Sequence, residues 1–249
     1  MANPKTQSRG RKQNAREVTQ PIRKQSERDA ITDYFWRRKD FRDYALFLLG
    51  IHTGRRIVDL LALNVRDVAY IDRKGRLRVV ERLKLQEQKT GKFVDMLLHR
   101  TARRALGKYL ARRRGEAPSL EALLASPLFQ SQKARIGGER RITKRHALRV
   151  LTVAARACGL NYKIGTHSMR KTFGYQLHQD GTDIALIQRL LNHSSPEVTL
   201  SYIGITRDDM DAAIRGFGGV AKEKKTRKPR KSRGTGAADL CPDYPGWSL

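Results

Sequence analysis

Apolar positions recur with a helical period along most of the chain and switch to short alternating runs only between Val68 and His99. Ser26 and Asp29 have capping-box spacing and open a predicted helix through Arg38, with Ile31, Tyr34 and Phe35 on one face. Asp40 starts a second helix, FRDYALFLLGIHTG, which is apolar enough to lie at the centre of a core and stops at Gly54. Ile57, Leu60 and Leu61 are spaced to anchor a short helix while Arg56 points elsewhere. The runs DVAYI, RLRVVERLKL and KFVDMLLH, separated by RKG and KTGK turns, predict one small antiparallel sheet with Lys89 at a mobile hairpin tip.

Helical patterning then returns. Thr101 begins a basic helix that buries Ala105, Leu106, Tyr109 and Leu110, and a short helix near Leu120–Leu124 interrupts a loop-like segment from Gly115 to Arg141 in which PLFQS reads as a strand or turn. Thr143 caps a helix to Cys158, amphipathic through Leu148, Leu151 and Ala155. Thr166 is placed to cap a helix carrying Arg170, Phe173 and Leu177. Thr182 and Asp183 open another that ends at Asn192-His193, and Pro196 at the first helical position starts a short helix presenting Tyr202. Asp208 to Phe217 has an apolar stripe too short to be stable alone. The fold class expected is α+β: mostly helical, with a small antiparallel β-sheet. Three regions are expected: a flexible basic N-terminal arm over residues 1–25, one domain over 26–217 and a disordered basic tail over 218–249.

Charge narrows the function. The 249 residues carry 52 Lys+Arg against 24 Asp+Glu, a net charge of +28. Residues 1–16 contribute +5, residues 222–233 contribute +7 and residues 234–249 contribute −2, which leaves +18 on Glu17 to Ala221. The body itself is therefore basic, and a polyanion is the expected partner, nucleic acid being the usual one. The exposed arginines of the basic helix, Arg103, Arg104, Arg112 and Arg113, and Lys92 at the hairpin are the expected phosphate contacts. Cys158 and Cys241 are too few and too far apart for a disulfide framework, and the six histidines form no metal-ligand spacing, so neither metal nor cofactor is expected. No apolar run reaches the length of a membrane span, and a soluble, intracellular protein in a reducing compartment is expected.

The chemistry concentrates between Thr166 and Tyr202: His167 and Arg170 three residues apart, His193 at a helix end and Tyr202 nine residues further on. An arginine pairs bidentately with phosphate oxygens, a histidine moves a proton near neutral pH, and an activated tyrosine hydroxyl is a covalent nucleophile. Such a set points to phosphoryl transfer through a phosphotyrosine.

These residues resemble the signature of the tyrosine recombinase (phage integrase) family: His-x-x-Arg, then Gly/Asn-His, then the nucleophilic Tyr. HTGRRIVDLLAL resembles the family's Thr-Gly-x-Arg-x-x-Glu/Asp-Leu box and QKTGK the hairpin with its catalytic lysine, in the family's order. The resemblance implies a catalytic set of Arg56, Lys89, His167, Arg170, His193 and Tyr202, with Asp59 in support. Lys84 or Lys92 could take the lysine's role. It implies a site-specific recombinase whose partner is double-stranded DNA, which it integrates, excises or inverts through a 3′-phosphotyrosyl intermediate. It also implies a homotetramer in the synapse and a cytoplasmic, nucleoid-associated protein of bacterial or phage origin. Most such recombinases carry an N-terminal core-binding domain. Here only some 25 polar residues precede the first helix, so a catalytic domain alone is expected, gripping DNA through its basic arms or an accessory DNA-bending protein. The same groups serve a type IB topoisomerase-like enzyme. A basic DNA-binding protein that kept the fold without catalysis would have no use for Tyr202.

Overall fold

The structure, a computed structural model, describes residues 19–131, 141–204, 211 and 214–217. The chain divides into a unit over residues 1–206 and another over 207–249. In the second unit Asp211 and residues 214–217 are helical, with Ile214 and Phe217 exposed. The expected basic tail and residues 1–18 of the expected arm lie outside the described residues.

In the first unit the helices are α1 (Gln25–Arg37), α2 (Phe41–Thr53), α3 (Ile57–Ala62), α4 (Arg100–Glu116), α5 (Leu120–Ala125), α6 (Lys144–Ala157), α7 (Thr166–Gln179), α8 (Ile184–Leu191) and α9 (Pro196–Ile203). The core is built on α2, whose Ala45, Phe47 and Leu49 are fully enclosed and which packs against α1, α4 and α7. Burying side chains such as Phe47 and Leu49 stabilises the fold by roughly 1.5–3 kcal/mol each. Gly54 ends α2 in the left-handed region (φ 61°), and a Cβ there would stand 2.4 Å from the Phe173 ring. That glycine therefore sets both the helix stop and the close approach of α7.

The strands are β1 (Ala69–Ile71), β2 (Leu77–Val79), β3 (Arg82–Gln86) and β4 (Phe93–Leu97), and they form two two-stranded antiparallel ribbons. One sheet was expected, but the run RLRVVERLKL divides at Val80-Glu81. Its first half pairs with β1 and its second with β4. In β3 the alternation buries Leu83 and Leu85 and exposes Arg82, Lys84 and Gln86.

Further expectations are corrected. The helix opening the domain starts at Gln25 with Lys24 as its cap and no capping side chain, while the Gln25 amide bonds Asp29 at 2.7 Å. The end of the expected arm docks on the domain: Pro21 and Ile22 are buried, Thr172 accepts from the Ile22 amide at 2.8 Å, and Lys171 donates to the Thr19 carbonyl at 2.8 Å. Thr166 is the first residue of α7 instead of its cap, and Gly165 takes that place, its amide donating to the Ser168 hydroxyl at 3.0 Å. Leu148, expected on the inner face of α6, is 43% exposed because Ala147 and Leu151 take that face.

Candidate active site

The site lies where α7, α8 and α9 meet the loop after α2. The Ser195 hydroxyl accepts from the Val198 amide and Pro196 occupies the first helical position, so α9 starts where its sequence dictates. It ends at Gly204 in the left-handed region, and between these stops Tyr202 faces α7. Gly174 of α7 allows this packing: a Cβ there would lie 2.8 Å from Ile203 and 3.1 Å from Leu191. The Tyr202 hydroxyl is 3.0 Å from Nδ1 of His167, one turn before Arg170 on α7. The His193 ring stands edge-on to the Tyr202 ring at 4.9 Å, and its Nδ1 is 3.0 Å from the Thr199 hydroxyl, which leaves Nε2 for a substrate.

Arginines close the other side. Arg170 is 98% buried and donates to the Gly54 carbonyl at 2.8 Å and to the Leu191 carbonyl, its guanidinium carbon 5.8 Å from the Tyr202 ring centre. Arg55 donates to Leu190, so two guanidiniums meet the carbonyls that the last turn of α8 cannot pair internally, the negative end of that helix. Arg56, at the cap position of α3, is partly exposed, and its Nη1 lies 2.8 Å from a Glu87 oxygen without the alignment of a hydrogen bond. Its charge is held in place while donor positions remain for an incoming anion.

The electrostatics follow from burial among cations. Burial and then Lys144, Arg170, Lys171 and Arg56 hold the His167 pKa below its ordinary value, so the imidazole beside Tyr202 is neutral at neutral pH and has a ring nitrogen able to take a proton. His193 is pushed down to about 4 by burial and by Arg170, Arg56 and Arg55. Burial pushes the Tyr202 phenol up, and Arg170 and Arg56 offset only part of this, so the hydroxyl keeps its proton until a base removes it.

Asp59 is buried in α3. Its Oδ1 accepts from the Gln88 amide at 2.9 Å, and its Oδ2 has no hydrogen-bond partner among the described residues. Lys89, one residue on, is exposed in the hairpin turn, two residues after Glu87, the ion-pair partner of Arg56. Hydrogen bonds flank this lysine on both sides, from the Gln88 amide to Asp59 and from the Thr90 hydroxyl to Glu87. Of the expected phosphate contacts, Arg104 and Lys92 are exposed, Arg103 lies 3.5 Å from Glu81, and Arg112 lies 3.5 Å from Glu116. Arg113 is corrected: it is buried, and it donates to the Pro127 and Leu128 carbonyls, Ser126 and Gln130 at 2.7–3.1 Å. Its guanidinium pins the loop after α5 and does not face solvent.

Two residues went unremarked in the sequence. Glu87 is wholly buried and bonds Arg55, Thr90 and Asn192. Its carboxyl would be raised by burial, but Thr90, Arg56 and Arg55 outweigh this and hold it below its ordinary value. The signal was present: Leu83, Leu85 and Glu87 share one parity, so the period of two carries Glu87 inward. Arg55 offered no such cue beside Arg56.

A tyrosine hydroxyl against a neutral histidine, beside the buried guanidinium of Arg170 and the partly exposed one of Arg56, is an arrangement able to carry out phosphoryl transfer. The chain belongs to the phage integrase family, whose model matches residues 23–208. It is 37% identical over 203 residues to the probable integrase/recombinase YoeC of Bacillus subtilis (strain 168), a match covering 82% of this chain and 99% of YoeC. It is 33% identical over 177 residues to the tyrosine recombinase XerD of Corynebacterium glutamicum, covering 71% of this chain and 53% of XerD. The chain thus spans nearly all of YoeC but about half the length of XerD. Among solved structures, that of XerA recombinase superposes with a TM-score of 0.61 at 21% identity, over 82% of this chain and 68% of that one. The post-cleavage complex of XerH with its palindromic difH substrate gives 0.58 at 20% identity, over 82% and 54%. At these identities the likeness establishes the fold, that of tyrosine recombinase catalytic domains. No helix among the described residues is long and apolar enough to cross a membrane.

Proposed function

We propose that this chain is a site-specific DNA recombinase that cleaves and rejoins strands through a 3′-phosphotyrosyl bond at Tyr202. The observation that carries the reading is the 3.0 Å approach of His167 Nδ1 to the Tyr202 hydroxyl beside the buried guanidinium of Arg170. The Tyr202 oxygen attacks the scissile phosphorus as its proton passes to His167. The bond to the 5′ oxygen breaks, and Lys89 protonates that oxygen as it departs. Arg56, Arg170 and Nε2 of His193 bind the nonbridging oxygens, whose negative charge grows in the transition state. Asp59 supports the turn that carries Lys89. The phosphotyrosine keeps the bond energy, so a free 5′ hydroxyl of another strand reverses the steps without ATP.

The membership of the family and the XerD and XerH relatives support recombination over simple relaxation of supercoils. A homotetramer pairing two DNA sites, assisted by an accessory DNA-bending protein, completes the reading. The test is a supercoiled plasmid with one or two copies of the cognate site: deletion or inversion requiring both sites supports recombination, and relaxation without any deletion or inversion on the two-site plasmid refutes it.

A further inference from the structure

The wholly buried Glu87 carboxylate, at the inner end of β3, gathers four groups from three parts of the chain. It lies 3.0 Å from Arg55 and 2.8 Å from Arg56 in the loop after α2, accepts from the Thr90 hydroxyl at 2.7 Å in the hairpin turn, and accepts from Asn192 at 3.0 Å after α8. Asn192 is in the left-handed conformation next to His193. One carboxylate therefore ties together the turn holding Lys89, the Arg56 guanidinium and the residue before His193. The turn is braced around it: the Glu87 amide donates to the Lys92 carbonyl at 2.9 Å, and the Gly91 amide donates to the Glu87 carbonyl at 2.8 Å. A solvent-facing turn that needed only to expose a lysine would gain nothing from a buried anion, whose desolvation is costly unless its partners are fixed.

We propose that Glu87 and Thr90 are positioning residues for leaving-group protonation: the carboxylate, gripping the Thr90 hydroxyl, sets the Lys89 turn against Arg56. This rests on the recombinase reading above. In the step concerned, the phosphorus bond to the 5′ oxygen breaks and that oxygen takes a proton from the Lys89 ammonium. A sulfur in place of the 5′ oxygen leaves as a thiolate and needs no such proton. Defects in placing the lysine are therefore repaired by the sulfur, and defects in clamping the phosphate are not.

The experiment uses the full chain and a nicked duplex whose site has been selected by covalent capture from random-sequence DNA, made with either a 5′ oxygen or a 5′ sulfur at the scissile phosphate. Thr90→Val is expected to slow adduct formation on the oxygen substrate by about tenfold or more and to stay within about threefold of wild type on the sulfur substrate. Thr90→Ser, which keeps the hydroxyl, retains wild-type rates on both. Glu87→Gln slows the oxygen substrate more than the sulfur one, and Arg56→Ala slows both alike. Thr90→Val, confined to an exposed residue, decides the matter if Glu87→Gln does not fold. Wild-type rates for Thr90→Val on the oxygen substrate, or equal slowing on both, overturn the proposal. Absence of any Tyr202 adduct in the wild type overturns the recombinase reading itself.

Discussion

Gly174→Ala separates the placement of the nucleophile from the stability of the domain. The new Cβ would lie 2.8 Å from Cγ2 of Ile203 and 3.1 Å from Leu191, both almost fully buried. Carbon atoms rest at about 3.5–4.0 Å, so the α7–α9 gap must open by about 1 Å. Overpacking of this kind costs about 1–3 kcal/mol, and replacing glycine by alanine inside a helix returns about 1 kcal/mol. The net loss of roughly 0–2 kcal/mol lowers Tm by no more than about 8 °C in a domain of this size. Catalysis has no such offset. Ile203 adjoins Tyr202, so the displacement moves the hydroxyl relative to His167, and a 1 Å misplacement costs about 10²-fold in rate. Single-turnover adduct formation on a nicked duplex, paired with thermal unfolding followed by circular dichroism, reads both quantities. Cleavage within about threefold of wild type would refute the argument that α9 is held by this contact.

Other consequences are open to measurement. Arg113→Met strips donors from two carbonyls and two side chains in the loop after α5, and is expected to cost roughly 2–4 kcal/mol, seen as a Tm drop of about 5–15 °C; an unchanged Tm contradicts the structural role. Arg104→Ala leaves Tm unchanged but weakens DNA binding and lowers the slope of log K against log salt by about 1, measured by fluorescence anisotropy from 50 to 300 mM salt. His52 and His193 are both pushed down to about 4, His52 by burial and the neighbouring His99 and Arg28. The unfolded chain therefore binds more protons than the folded one below the ordinary histidine pKa, so stability present above it is lost as pH falls toward 4. Thermal unfolding at pH 7 and pH 4.5 checks the direction, and His52→Phe is expected to flatten part of the loss.

What could be read from the residues was what local rules control. Gly54, Thr143, Asp183 and Pro196 mark helix ends because caps and left-handed stops act within one turn, and each stands where its pattern placed it. Spacing in the chain, together with the family resemblance, also singled out His167, Arg170, His193 and Tyr202, which α7, α8 and α9 bring together. Features set by tertiary contact were missed. Arg113 follows Leu106, Tyr109 and Leu110 at helical spacing, so its inward face was legible, but its charge argued for solvent until four acceptors in a distant loop were seen. Glu87 had the parity of a buried residue and the chemistry of an exposed one. Two arginines, both inside the recognised box, resolve that conflict in favour of burial. The strap of residues 19–24 has no periodicity of its own and takes its order from Thr172, Lys171 and Lys163 of the folded domain.

The central claim is that Tyr202 attacks DNA, and covalent trapping tests it most directly. The full chain is incubated with nicked suicide duplexes, denatured in SDS, digested and examined by mass spectrometry for nucleotide-linked peptides. The account predicts a 3′-phosphate adduct on the peptide containing Tyr202, lost in Tyr202→Phe and strongly reduced in Arg170→Ala. An adduct on another tyrosine, or one that survives in Tyr202→Phe, would contradict it.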